Sequence, residues 1–186
     1  VDNQGIEGQR FCIAVLDNAT RWGELIPVDD KSAESATEAL QNFAGQDVIK
    51  PHYPDCSPEL KKAAKNLGWV HPTSTPYRPQ TNGVAERHVR HQLEGTRTVL
   101  AKSGLPLPWW PYAARHFSFS NNVAIADVDG KSPYARRHGE EPKSLQQVPF
   151  GAHLMFKPQG KRLEKLHKFG ERMLPGVMLE YHLQPG

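Results

Sequence analysis

Long apolar runs are absent from this chain. No stretch reaches the roughly 18 consecutive apolar residues that a membrane-spanning helix requires, and no apolar segment of the kind a secretory leader carries follows the first residues. A membrane partner is therefore not expected. Cysteine is nearly absent too, with two in 186 residues. Cys12 and Cys56 make neither a disulfide framework nor a zinc quartet, so a reducing compartment is the expectation. Cys12 falls in an apolar run and reads as a core thiol, leaving Cys56 as the more exposed one. Internal repeats are lacking as well. With 38% hydrophobic and 23% charged residues, the composition is that of a globular rather than a disordered chain. The length suits one well-cored domain with a small appendage.

The net charge of +3 hides an uneven distribution. Residues 1–60 carry 11 acids and 4 bases, and residues 61–186 carry 9 acids and 19 bases. One reading is a solvated surface with local bias. The other is an acidic, cation-binding pole beside a basic face suited to a polyphosphate. Charge alone does not choose between them.

Gln9–Asp17 (QRFCIAVLD) and Arg21–Val28 (RWGELIPV) read as strands rich in β-branched and aromatic residues, joined by a tight reversal at Asn18–Thr20. Val1 and Asp2 read as the tail of a preceding strand, which makes a three-stranded antiparallel meander. A helix is expected from Lys31, with Ser35 and Glu38 at capping-box spacing and Gly45 as its stop. Asp47–Lys50 reads as a short buried strand. Ser57-Pro58 opens a second helix to about Leu67-Gly68, and Trp69–His71 is a further short strand. After the breaker-rich stretch from Thr73, a long helix runs from about Val84 to Lys102, with Ala85, Val89, Leu93, Thr96 and Leu100 on its core face. Leu105–Pro108 breaks it, and a last helix covers Trp109 to about Ala126. Trp109 and Trp110 read as core or capping residues. The remainder is basic, with 10 bases against 4 acids over 131–172, and holds two strand-like pieces, His153–Lys157 and Gly176–His182. The resulting division is a domain over 1–130, a basic linker over 131–150 and part of a small β module over 151–186. The order of elements predicts an α/β layer architecture. Three antiparallel strands followed by parallel ones, flanked by helices, is the ribonuclease-H-like mixed sheet by fold analogy.

Three acids stand at element ends: Asp2 beside the first strand, Asp55 after the strand ending at Lys50, and Glu86 at the opening of the long helix. Converging carboxylates hold divalent cations about 3.5–4 Å apart for phosphoryl transfer, and all-oxygen ligands favour Mg²⁺ or Mn²⁺ over zinc. Asp17 is a rival for the first acid and Asp47 for the second. At 100° per residue, Glu86, Arg90 and Arg97 fall within about 40° of one another, so an acid shares a strip with two bases suited to phosphates. His88 and His91 read as exposed helix histidines without a metal role.

The stretch "HPTSTPYRPQTNGVAER" resembles the loop and helix start that carry the third acid of the retroviral and retrotransposon integrase catalytic core, which places that acid on Glu86 and the family's Tyr-x-Pro-Gln loop on Tyr77–Gln80. "PDCSPEL" is similar to the family's second-acid segment, with Asp55 as the acid. The hairpin before "RFCIAVLD" puts the first acid on Asp2. "DNATRWGELIPV" and "LPLPWWPYAARHFSFSNNV" resemble the neighbouring core segments, and "SPYARRHGEEP" and "PFGAHLMF…PGVMLEY" resemble the region after the core in copia-type elements. The likeness is strongest from Thr73 to Arg90. The chain departs from the family in three places. Only 30 residues separate Asp55 from Glu86, fewer than is usual. Cys56-Ser57 replaces the usual Asn-Gly. The chain begins one residue before Asp2, where the family has the middle of a strand, so a fragment of a longer polyprotein with a truncated first strand is the expectation.

The resemblance implies an integrase core that joins retrotransposon DNA ends to target DNA by two-metal polynucleotidyl transfer. Asp2, Asp55 and Glu86 are its implied catalytic and metal residues, with Mg²⁺ or Mn²⁺ as cofactor. Tyr77, Arg78, Gln80, Asn82, Arg87, Arg90 and Arg97 are the implied DNA contacts. Gly83 and Asn82 are expected to give the loop its backbone freedom, and the basic stretch over 131–172 to meet DNA or a neighbouring subunit. The partners are DNA and further copies of the chain, acting in the nucleus after synthesis in the cytoplasm. The alternatives are a decayed integrase fragment that only binds DNA, and a nuclease of the same fold.

Overall fold

Two strand-forming runs flank a short polar break, and they fold back on one another. Strand β1 (Phe11–Leu16) pairs antiparallel with β2 (Gly23–Val28), Phe11 opposite Val28 and Leu16 opposite Gly23. The computed structural model describes residues 4–47, 49, 57–69, 79–124, 129–142, 147–160 and 169–181, at 79–82 the backbone only. The hairpin is followed by α1 (Ala33–Ala44), α2 (Pro58–Asn66), α3 (Pro79–Ser103), a 3-10 turn at Leu107–Trp109, α4 (Trp110–Ala124), α5 (Pro133–His138), β3 (His153–Phe156) and β4 (Leu174–Val177). Strands β3 and β4 pair antiparallel. Among the described residues the strands thus form two two-stranded sheets. The expected third antiparallel strand at residues 1–2 lies outside the described residues, and the expected strands at 47–50 and 69–71 lie largely outside them. What is described is a mixed α/β arrangement. No described helix is long and apolar enough to cross a membrane.

Helix α1 is capped three residues before the expected position. The Ser32 hydroxyl accepts from the Ser35 N–H at 3.1 Å, while the Ser35 hydroxyl donates to Asp30 at 2.7 Å. Ser32 has the extended backbone that a cap requires, and Gly45 ends the helix at φ 58°. Helices α1 and α2 bury Ala36, Leu40 and Ala63 against Ile13 and Val15 of β1. Cys12, expected in the core, is exposed, although its Sγ is crowded enough for burial to push its pKa up.

The other edge of the hairpin is covered by side chains. Gly23 N–H donates to Asn122 Oδ1 at 3.0 Å, and Asn122 Nδ2 donates back to the Gly23 carbonyl at 2.9 Å. Leu25 N–H donates to Ser118 Oγ at 3.0 Å. Ser118 and Asn122 are four apart and therefore stack on one face of α4. Side-chain period two puts the next outward-facing position of β2 at Pro27, which has no N–H to leave unpaired. All the backbone donors of this edge are thus satisfied or absent, which removes the usual hazard of an edge strand.

Helix α3 packs across both layers. A Cβ on Gly95 would fall 1.9 Å from Phe117 Cζ, so only glycine lets the ring lie on the α3 backbone. Gly23 does the same for the His88 ring, whose Cε1 would stand 2.2 Å from an added Cβ. The expected core face of α3 is buried only in the C-terminal part of the helix, where Gln92 joins it. Gln92, Thr96 and Leu100 are buried, whereas Ala85 and Val89 are exposed. His88 is half-buried rather than surface-exposed. Gln92 joins the buried face because Ser118 Oγ donates to its Oε1 at 2.8 Å.

Residues expected to form a linker carry α5, capped by Ser132 and ended by Gly139. Residues flanking the C-terminal strands dock on α4. Leu100, Ala113 and Phe150 form a second core cluster with Trp109, Trp110 and Leu179 around it, which gives both tryptophans the packing role expected of them. The Tyr181 hydroxyl accepts from Val148 N–H at 2.6 Å and donates to the Val148 carbonyl at 3.1 Å. His116 lies between the Phe150 and Tyr181 rings, with Nε2 at 2.9 Å from the Val148 carbonyl.

Replacing Asn122 by Ala strands a buried N–H and a buried C=O, and is expected to cost about 2–4 kcal/mol in urea denaturation with an unchanged m-value. A loss under about 0.5 kcal/mol, the scale of an ordinary surface change, would remove the edge from the stability argument. Burial pushes the His116 pKa below its ordinary 6.5, against the pull of the Val148 carbonyl. Above 6.5 the ring is neutral in both states. As pH falls through 6.5 the unfolded chain takes up a proton that the folded chain refuses, so stability declines until the folded pKa is passed. Denaturation midpoints from pH 7.5 to 5 are expected to fall less steeply in His116→Gln than in the parent chain.

Candidate nucleic-acid and metal site

Helix α3 is 25 residues long, roughly 37 Å at 1.5 Å per residue. It begins at Pro79, five residues before the expected start. Proline suits a first helical position because its φ is preset and its missing N–H would be unpaired there anyway. The following Gln80, Thr81 and Asn82 continue the helix. Gly83 stays helical at a cost of about 1 kcal/mol relative to Ala, and so does not serve as the flexible loop residue expected of it. No acid stands in the first turn. Glu86 lies two turns in, roughly 10 Å along the axis from Pro79.

The described candidate residues share the solvent side of this helix. Glu86, Arg87, Arg90 and Arg97 are all exposed. Arg87 Nε donates back to the Gly83 carbonyl at 3.4 Å. Glu86 has no hydrogen-bond or ion-pair partner among the described residues. Gln92 and Thr96 point the opposite way into the core, and their burial sets the rotation that sends Glu86, Arg90 and Arg97 outward. Asp2, Asp55, Tyr77 and Arg78 lie outside the described residues, as do the side chains of Gln80 and Asn82. Among the described residues no group of three His, Cys, Asp or Glu is placed to hold a metal.

Both rival acids have structural partners. Asp17 caps the hairpin turn, its Oδ1 accepting from Ala19 N–H at 2.9 Å and its Oδ2 from the Thr20 N–H and hydroxyl. Burial alone would raise its pKa, but these hydrogen bonds from Thr20 and Ala19 hold it below the ordinary carboxylate value. Asp47 pairs with Arg137 at 3.2 Å. The bases of the 131–172 stretch are partly used the same way, Arg136 pairing with Asp129 at 2.9 Å. Sequence reasoning missed Ser118, Asn122 and Arg137. The i, i+4 polar pair Ser118/Asn122 in a helix with an Ala-Ala core face was the available signal for the first two. Nothing local marks Arg137, because its partners lie about 90 residues away.

No protein-family model matches the chain. Among curated proteins it is 29% identical over 157 residues, 78% of this chain, to the retrovirus-related Pol polyprotein from transposon RE2 of Arabidopsis thaliana. It is 28% identical over 95% of its length to the corresponding polyprotein from transposon RE1 of the same plant. The chain spans 11% and 12% of those two proteins. Among solved structures, the crystal structure of the catalytic core domain of BIV integrase matches with a TM-score of 0.50 at 18% identity, over 65% of this chain and 80% of that one. The likeness shows a mixed α/β fold resembling an integrase catalytic core, and the relatives are retrovirus-related Pol polyproteins of transposons.

The turn role of Asp17 has a direct consequence for stability. Asp17→Ala is expected to lower it by about 1–2 kcal/mol, and Asp17→Asn by less, because the amide oxygen still accepts. Equal stability of all three chains in urea would mean that the cap is idle.

Proposed function

We propose that this chain, an integrase-like core related to retrotransposon Pol polyproteins, joins element DNA ends to target DNA by polynucleotidyl transfer, with Asp2, Asp55 and Glu86 as its catalytic carboxylates. The observation that carries this reading is the solvent strip of α3. There, a carboxylate without a partner among the described residues shares one face with Arg90 and Arg97 on the integrase-core fold. An exposed, unpaired carboxylate is the donor chemistry that a hard divalent cation takes, so Glu86 fits Mg²⁺ or Mn²⁺, and Asp2 and Asp55 would complete an all-oxygen set. When bound, the ions supply Lewis-acid stabilisation of the attacking and leaving oxygens.

The remaining work falls to the chain's own side chains. Arg90 and Arg97 hold phosphates along the helix beside the acid, and Arg87 adds charge one residue on. Tyr77 and Arg78, just before the start of α3, and Gln80 and Asn82 in its first turn take the DNA end, Tyr77 by stacking. Positioning and charge carry the reaction, with no covalent intermediate on the protein. Phosphate contacts carry no sequence information, so target choice is weak. In this reading residues 1–130 are the catalytic core, 131–150 and 151–186 pack against it, and several copies act together in the nucleus.

A disintegration assay tests the proposal, since reversing strand transfer on a branched DNA asks only for the core. With Mn²⁺ or Mg²⁺ the chain is expected to resolve the branch, and Asp55→Asn and Glu86→Gln are each expected to reduce resolution to background while leaving the fold intact by circular dichroism. Folded protein that binds DNA in a salt-dependent way without metal-dependent product would instead mark a DNA-binding relic. Hydrolysis without joined product would mark a nuclease.

A further inference from the structure

His91 stands on α3 one turn after Arg87, and α4 fixes the direction of its ring. Its Nε2 lies 2.8 Å from Asn121 Oδ1. Its ring centroid stands 5.3 Å from that of Phe117, at an interplanar angle of 59°. Phe117 is itself seated on Gly95, where an added Cβ would fall 1.9 Å from the ring. Two residues four apart on α4 therefore hold an imidazole that is nonetheless exposed. An amide oxygen only accepts, so Nε2 carries the hydrogen of the Asn121 contact. Nδ1 has no partner among the described residues.

The arginines around this ring are also without partners. Arg115, Arg136 and Arg137 each meet a carboxylate. Arg87, Arg90 and Arg97 are exposed and have no ion-pair partner among the described residues. At about 100° per residue, Arg90 and Arg97 lie about 20° apart, and Arg87 and His91 about 40° apart. The second pair stands about 90° round the helix from the first. Helix α3 thus presents two rows of bases, one beside Glu86 and one on the flank where Asn121 of α4 meets it. Like charges four residues apart repel, so a protonated His91 after Arg87 carries a cost in the free chain that a bound polyanion removes.

A phosphodiester offers acceptor oxygens and no donor. Neutral His91, with its Nε2–H given to Asn121, has only an acceptor left at Nδ1 and cannot bind one. With a proton on Nδ1 the ring donates there and adds a positive charge. We propose that Arg87 and His91 form a second phosphate row for DNA, with His91 binding as an imidazolium that Asn121 and Phe117 aim outward. The inference rests on the reading of this chain as a DNA-binding, integrase-like core. It makes DNA binding take up a proton, so affinity rises as pH falls through the range of about 5 to 8 in which imidazole changes charge. The charged or titratable groups beside the ring are Arg87, His88 and Glu94, three or four residues away along α3. Arg21 of the hairpin reaches the same neighbourhood, since it and His91 both act on His88. From α4 the ring meets Phe117 and Asn121, neither of which titrates.

The test is fluorescence anisotropy of a labelled double-stranded oligonucleotide, without metal, titrated with the full chain at pH 6 and pH 8 over a series of salt concentrations. The parent chain is expected to bind about threefold more tightly at pH 6, with a salt slope steeper there by about 0.9. His91→Gln keeps a donor for Asn121 but takes no proton, and is expected to bind at both pH values as the parent does at pH 8. His91→Arg, permanently charged, is expected to bind at pH 8 as tightly as the parent at pH 6. Asn121→Ala, which frees the ring, is expected to weaken binding at pH 6. Urea denaturation of each variant separates a lost contact from a lost fold. If His91→Gln keeps the pH difference and salt slope of the parent, His91 only seals the α3–α4 seam and the proposal is overturned. A parent chain that binds DNA equally at both pH values would overturn it too, leaving the DNA-binding reading in place. A parent chain that binds no DNA at either pH would overturn both.

Discussion

The amide of Asn122 meeting the peptide of Gly23 is the contact on which the rest of the arrangement depends. It fixes α4 along the outer edge of β2, with Ser118 one turn earlier reaching Leu25. With α4 placed, the Phe117 ring and the Ser118 hydroxyl face α3, where Gly95 admits the one and Gln92 accepts from the other. That pair leaves α3 one rotation about its axis. The outward direction of Glu86, Arg90 and Arg97 is thus set from the buried side of the helix. The same helix α4 receives the C-terminal segment through His116 and Phe119, which stack on Tyr181.

The seam between α3 and α4 is more polar than burial alone would favour. Gln92 Nε2 and Thr96 Oγ1 find no hydrogen-bond partner among the described residues, and each such group costs about 1–3 kcal/mol. An apolar seam would be more stable, but it would tolerate sliding and rotation, as volume-matched apolar contacts do. Here the hydrogen bond from Ser118 to Gln92 selects a single register. A helix that carries an exposed acid at a defined angle gains more from that selection than from extra stability.

Much of this was legible from the chain. The hairpin, both helix stops at glycine and the Ser57-Pro58 start all rest on local chemistry, such as β-branching, capping and turn residues. The core face of α3 was legible only in part. Periodicity chose Ala85, Val89, Leu93, Thr96 and Leu100, of which Thr96 and Leu100 are buried, whereas a polar partner on α4, some 26 residues away, brought in Gln92. Pro79 was read as a loop breaker although proline opens helices as readily as it interrupts them. Of the candidate site, the acid–base strip of α3 followed from helical spacing alone. The roles of Asp17 and Asp47 did not, because a carboxylate at the end of an element looks the same in sequence whether it caps a turn, pairs with a distant arginine or is left free for a ligand.

The covering of β2 also has a place in time. Gly23 and Asn122 are 99 residues apart and Leu25 and Ser118 are 93 apart, so the hairpin is synthesised long before its cover. At about 5–20 residues per second, the ribosome leaves that edge open for roughly 5–20 s. During this interval the donors of Gly23 and Leu25 can pair with any extended chain nearby, and only Pro27 already withholds one. The nascent hairpin is therefore exposed to pairing with other chains until α4 arrives to cover its edge.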